Sequence, residues 1–190
     1  QIIRIEAILS GTLSYIFNNF KTGVKFKNVV WEAKQKGYTE PDPRDDLSGL
    51  DVARKILILS RETGLPMEMS DIQIEQILPE SCVKAKTIEE FFETLEKENA
   101  FFENKLNSAQ KEGKVLRFIA KLENGKANIS LQAVSADHPF YSLSGSDNII
   151  AFTTERYKER QLVVKGPGAG AEVTAAGVFA DIINISHSWS

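Results

Sequence analysis

An α+β fold, with a mixed but largely antiparallel sheet and helices packed on one of its faces, follows from three features of this chain. Residues 114–122 and 126–134 alternate apolar with polar around Glu123-Asn124-Gly125, and Asn-Gly between alternating runs is a strong hairpin signal. A second alternating pair occupies 147–155 and 159–165. Between the first strand and these hairpins lie segments of helical period, and helices covering one face of a sheet make the most economical two-layer arrangement for that order.

Taken in order, residues 2–9 read as a strand, and Ser10-Gly11 form the turn before a helix capped by Thr12 and running to Phe20. A second helix spans 27–36 and stops at Gly37. Pro41 and Pro43 then hold Glu40 and Asp42 in extended geometry. The spacing predicts one long helix from about Asp45 to Thr63, with aspartates in its first turn, Gly64 as its stop and Pro66 just beyond. On that helix Ser48, Asp51, Lys55 and Glu62 share a stripe, with Leu59 at its edge. Leu50, Ala53, Ile56 and Leu57 fill much of the remaining circumference. Residues 71–78 form a strand with a slip in its alternation; Thr87 caps a helix over 88–96, and another covers 100–112 up to Gly113. The last helix starts near Gly168 and reaches about Asn184.

At 190 residues the chain is long enough for one sizeable domain, burying ~70% of the surface its unfolded form exposes. A net charge of −3 argues against a nucleic-acid partner, and no apolar run approaches the ~20 residues that cross a bilayer. Cys82 is the single cysteine, so it forms no internal disulfide. Neither His138 nor His187 has ligand spacing with another His, Cys or acid, so no metal site is expected. These features fit a cytoplasmic location. Phe91 and Phe92, and the stretch around Phe102, read as helix packing, and residues 187–190 as a tail.

The chemistry concentrates in Gly37-Tyr38-Thr39-Glu40-Pro41-Asp42-Pro43-Arg44-Asp45-Asp46-Leu47-Ser48-Gly49-Leu50-Asp51-Val52-Ala53-Arg54-Lys55, where charged groups run directly into the apolar Ile56-Leu57-Ile58-Leu59. Ionic groups beside a core need partners or a ligand. Asp51 and Lys55, four apart, form either an exposed ion pair worth ~0.3–0.5 kcal/mol or a proton carrier conditioned by its acid and by burial. Near the C-terminus, Gly168-Ala169-Gly170 leaves backbone bare ahead of the last helix, either as a close-packed helix entry or to meet an anion or cofactor edge.

The charged segment resembles the substrate-binding signature of homoserine dehydrogenases. Ser10-Gly11-Thr12-Leu13-Ser14-Tyr15-Ile16-Phe17-Asn18 and Gly166-Pro167-Gly168-Ala169-Gly170-Ala171-Glu172-Val173-Thr174-Ala175-Ala176 agree with it. Leu143-Ser144-Gly145-Ser146-Asp147-Asn148 is most similar to the dehydrogenase end of bifunctional aspartokinase–homoserine dehydrogenases. The resemblance implies that residues 1–186 are a catalytic and dimerisation region, forming a homodimer or higher homo-oligomer through the strands at 114–122 and 126–134. It implies reversible conversion of homoserine to aspartate semialdehyde with NAD or NADP. Glu40 and Asp46 would bind the substrate ammonium, with Gly11 and Thr12 adding contacts. Asp51 would orient Lys55 at the reacting oxygen, and Gly168 and Gly170 would border the nicotinamide. The family's nucleotide-binding domain, with a second candidate lysine, lies upstream of these motifs, and no Gly-x-Gly-x-x-Gly follows a leading strand here. The chain is therefore expected to be the substrate half of a two-domain enzyme, inactive alone, with Val173, Val178 and Ile182 on an exposed face. The reading from another class is a non-catalytic oligomerisation or regulatory module, with the charged stripe serving an interface. A third is a substrate domain for another amino-acid or sugar dehydrogenase.

Overall fold

The first strand of the chain becomes an inner strand of the sheet. The computed structural model describes residues 1–188. Its elements are β1 (Ile2–Ile8), α1 (Gly11–Asn19), α2 (Phe26–Gln35), α3 (Pro43–Leu47) and α4 (Leu50–Glu62). A 3-10 turn (Met69–Asp71), β2 (Ile72–Ile74), α5 (Glu80–Val83), α6 (Ile88–Lys97) and α7 (Asn99–Lys111) follow. Then come β3 (Val115–Glu123), β4 (Lys126–Val134), β5 (Asn148–Thr154), β6 (Leu162–Gly166) and α8 (Ala171–Ser188). The six strands lie in the order β2-β4-β3-β1-β5-β6, antiparallel throughout except for β2 beside β4. This is the expected mixed, largely antiparallel α+β sheet.

Strand alternation sorts the two faces. Ile5 and Ala7 of β1, with Leu116, Phe118, Ala120 and Leu122 of β3, point into one core shared with α1, α2, α4, α6 and α7. There Phe26 stacks on Phe102 at 3.9 Å between ring centroids, and Phe91 and Phe92 are buried as packing residues. On the opposite face Ile8, Ile119, Ile149 and Ala151 form a smaller core closed by Phe140 and Leu143 of the 135–147 loop. The β3–β4 turn uses Asn124 at φ 52° and Gly125 at φ 73°, as a tight hairpin between right-twisted strands requires.

Four sequence expectations are corrected. The single helix over 45–63 is two helices, α3 and α4, parted at Ser48-Gly49. Gly49 has φ 75°, and a Cβ there would lie 2.9 Å from the buried ring of Phe118, so the chain turns where helical periodicity runs on. Ser48 consequently leaves the Asp51–Lys55 stripe, and α4 is amphipathic rather than apolar around most of its circumference, with Leu50 and Ile58 exposed. The strand at 71–78 shrinks to Ile72–Ile74, preceded by the 3-10 turn. Ser10, not Thr12, caps α1, its hydroxyl accepting from Leu13 N at 3.2 Å. The last helix begins at Ala171, three residues beyond Gly168, and continues to Ser188, past the expected tail boundary; the remainder of that tail, 189–190, lies outside the described residues. Every residue of α8 through His187 is exposed, Val173, Val178 and Ile182 among them, as expected from the sequence.

Candidate active site

Three parts of the fold converge on one cavity of about 750 Å³. The β1–α1 turn contributes Ser10, Gly11 and Thr12. The α2–α3 loop and the starts of α3 and α4 supply Tyr38, Glu40, Asp45, Asp46, Asp51 and Lys55. The strand ends opposite bring Ser146, Asn148 and Pro167-Gly168-Ala169-Gly170. The structure thus gathers all eight residues singled out from sequence, Gly11, Thr12, Glu40, Asp46, Asp51, Lys55, Gly168 and Gly170, around one space.

Lys55 is held from two sides. Its Nζ donates to the Leu9 carbonyl at 2.9 Å and pairs with Asp51 Oδ2 at 2.7 Å. An ammonium has three N–H donors, so one remains for the cavity. This geometry separates the Asp51–Lys55 pair from an ordinary i,i+4 surface pair, because the bond to Leu9 ties the lysine to the end of the central strand. Thr12 donates its hydroxyl to the Tyr38 carbonyl at 2.5 Å, and the Tyr38 ring packs on Tyr15 at 4.8 Å. Both contacts brace the start of the Glu40 loop.

Glu40 presents an exposed carboxylate while its backbone N–H donates to Asp46 Oδ2 at 2.8 Å. Burial raises the Asp46 pKa above the usual aspartate value, against the opposing pull of that Glu40 N–H. A carboxylate whose folded pKa is raised favours folding below its unfolded pKa and loses that contribution as pH rises through the folded one. The Asp46→Asn variant should therefore gain stability relative to the parent as pH rises from ~3 to ~7. Urea denaturation of both proteins across that range checks this; a difference that is flat or of opposite slope would contradict it.

Not every charge in the motif serves the cavity. Asp42 caps α3 by accepting from Arg44 N at 3.0 Å, and its carboxylate also takes Arg44 Nε at 2.9 Å. Arg44 further donates to the Ala85 carbonyl and lies over the Phe91 ring at 5.7 Å. That pair fastens the loop to α6. Sequence reasoning assigned no role to Tyr38, Asp45, Ser146 or Asn148, which also line the cavity. The first two stand inside the charged motif and the others inside Leu143–Asn148, so the signal was present without an assignment.

The glycine loop lies along the rim. Gly168 has no room for a Cβ, which would fall 2.0 Å from Asn148 Nδ2, whereas a Cβ on Gly166 or Gly170 would meet nothing within 4 Å. Gly170 caps α8, its carbonyl accepting from Thr174 N at 2.9 Å.

Elsewhere, burial pushes the Cys82 thiol up to about 11, the opposite of an activated nucleophile. His138 sits in a turn, its ring against Phe140, with Nε2 3.9 Å from Glu6. Among the described residues no cluster of three or more His, Cys, Asp or Glu could hold a metal, and no helix is long and apolar enough to cross a membrane.

The sequence pattern described as homoserine dehydrogenase matches residues 1–183. The chain is 53% identical over 98% of its length to the chloroplastic bifunctional aspartokinase/homoserine dehydrogenase 1 of Zea mays, of which it covers 20%. It is 51% identical to the homoserine dehydrogenase of Schizosaccharomyces pombe, with 97% of this chain and 51% of that one aligned. Among solved structures, a Candida auris protein of unknown function superposes with a TM-score of 0.91 at 42% identity, over 98% of this chain and 54% of that one. A putative homoserine dehydrogenase from Archaeoglobus fulgidus gives 0.74 at 25% identity, over 97% and 50%. The chain therefore spans between a fifth and about half of the relatives it matches. With its signature residues gathered in one cavity and the family pattern running from end to end of its strands, this chain belongs to the homoserine dehydrogenase family.

Proposed function

We propose that this chain is the substrate-binding and catalytic part of a homoserine dehydrogenase, interconverting homoserine and aspartate semialdehyde with NAD or NADP in threonine, methionine and isoleucine biosynthesis. The observation that carries this reading is Lys55, fixed by Asp51 and the Leu9 carbonyl with one donor facing a cavity of small-molecule size. Four acids, Glu40, Asp45, Asp46 and Asp51, line that cavity against Arg54 and Lys55, a balance suited to a substrate ammonium. Glu40 and Asp46 take that ammonium, and Gly11 and Thr12 close the substrate against the start of α1.

The dinucleotide supplies hydride acceptance and donation. Gly168 and Gly170 would border its nicotinamide end, while most of its binding falls to residues outside this chain. In the reducing direction Lys55 donates a proton to the aldehyde oxygen, directly or through water, as that oxygen takes on charge. In the oxidising direction the hydroxyl proton leaves by the same route. Asp51 keeps Nζ aimed and balances its charge. Without the nucleotide-binding part the chain folds but does not turn over.

Assembly into a homodimer is part of the same proposal. β3 is enclosed between β4 and β1, so its backbone offers no free edge, whereas β2 covers only Ala127, Asn128 and Ile129 of β4. The uncovered part of β4, residues 131–134, is the edge open to a two-fold partner. No nucleic acid or membrane is needed, and we place the protein in the cytoplasm, although the plant relatives are named chloroplastic.

The test is homoserine-dependent reduction of NAD and NADP by this chain beside a form extended to include a nucleotide-binding domain. The extended form should be active and the chain inert. In the active form Glu40→Asp should raise the homoserine KM several-fold with kcat little changed, since shortening the acid removes an ammonium contact present in ground and transition states alike. Unchanged saturation would remove Glu40 from substrate binding. If the extended form is inert while both forms dimerise, the chain is an assembly module instead.

A further inference from the structure

Arg117 occupies the middle of β3 on the face away from the helices and is only 5% exposed. All of its hydrogen bonds go to carbonyls: Nε to Phe140 at 2.9 Å, one terminal nitrogen to Leu116 at 2.9 Å, the other to Tyr141 at 2.9 Å and Leu143 at 3.1 Å. A buried guanidinium without a carboxylate is costly, and here its planar fork satisfies three carbonyls within residues 140–143 of one loop. That loop, 135–147, ends in the cavity. Asn18 Nδ2 donates to the Gly145 carbonyl at 2.9 Å, and the Ser146 carbonyl lies 3.0 Å from where a Gly11 Cβ would stand. Two residues on, Asn148 packs its amide against Gly168.

We propose that Arg117 is a positioning residue for the catalytic cavity, pinning the 140–143 backbone so that Ser146 and Asn148 hold the wall between Gly11 and the glycine loop. It touches neither substrate nor cofactor; it acts through the loop. The effect on catalysis rests on the homoserine dehydrogenase reading, but the effect on the loop does not.

Two measurements separate these. Hydrogen exchange is followed in this chain with Arg117→Met and Arg117→Lys, the second retaining charge and a donor should the first fail to fold. Exchange should accelerate about tenfold or more at 140–148 and at Leu13 and Ser14, whose amides are held by Ser10, with α6 and α7 as protected as before. Acceleration spread evenly over the sheet and helices, or none at 140–148, overturns the proposal. In the full enzyme, Arg117→Lys and Asn148→Ala are compared singly and together. Each should raise the homoserine KM several-fold, and the double variant should be little worse than Asn148→Ala alone. Additive effects would show that Arg117 does not work through Asn148. An enzyme that ignores homoserine defeats the functional reading, and the exchange result still decides the role of Arg117.

Discussion

Lys55→Ala should lower turnover by about 10²–10⁴-fold in the enzyme joined to its nucleotide-binding domain, the range general acid–base catalysis supplies. The prediction rests on the two-sided grip on Nζ. Asp51 alone would leave a flexible pair, but the Leu9 carbonyl, 2.9 Å away at the end of β1, locates the nitrogen relative to the sheet. Alanine removes the donor without disturbing the core, since Lys55 is half-exposed while Val52, Ala53, Ile56 and Leu57 carry the packing of α4. Melting temperature should therefore change little, and the homoserine KM much less than kcat. Assembly should be intact, which distinguishes a catalytic cluster from an interfacial one. An unchanged kcat would remove Lys55 from the chemistry and transfer the proton to a lysine elsewhere in the enzyme.

The second large effect falls on stability. Gly49→Ala should destabilise the fold by about 2–5 kcal/mol, combining ~1–2 kcal/mol for a left-handed alanine with ~1–3 kcal/mol for overpacking. The new methyl would stand 2.9 and 3.1 Å from atoms of the Phe118 ring and 3.2 Å from Ile74 Cγ2. Phe118 is buried in the main core and cannot retreat without displacing its neighbours. Because Gly49 joins α3 to α4, any relief shifts Asp46 relative to Asp51. Urea denaturation reads the stability, and a loss below ~0.5 kcal/mol would show that the link is more pliant than its packing implies.

Much of the architecture was legible because its signals are local. Lys126 to Val134 needed only alternation and an Asn-Gly turn, and Thr87 caps α6 through the Glu90 N–H as its residue type predicts. Two of the failures share one cause, a partner distant in sequence. Helical periodicity continues across Ser48-Gly49, and only Phe118, distant in sequence, makes the break necessary. Residues 71–78 carry strand-like residues, yet β4 offers a partner to three of them. The cavity was legible where a motif held it, as with Glu40, Asp46, Asp51 and Lys55. Leu9 was not, because its contribution is a carbonyl, and neither was Asn148, whose place depends on a loop clasped from beneath by Arg117.

The central place of β1 sets a timetable for synthesis. Its two neighbours, β3 and β5, start at residues 115 and 148, and both must leave the ribosome before β1, made ahead of them, is paired on both sides. The α1, α2 and α4 segments, made early, have their own periodicity but no completed sheet to rest on. The resting point for Lys55, the Leu9 carbonyl, belongs to that waiting strand. Any chain stopped before residue 148 leaves β1 with an open edge, a template for pairing between unfinished copies. Productive yield should thus depend on how quickly β5 follows β1 out of the ribosome, since β1 keeps an unpaired edge for the whole of that interval.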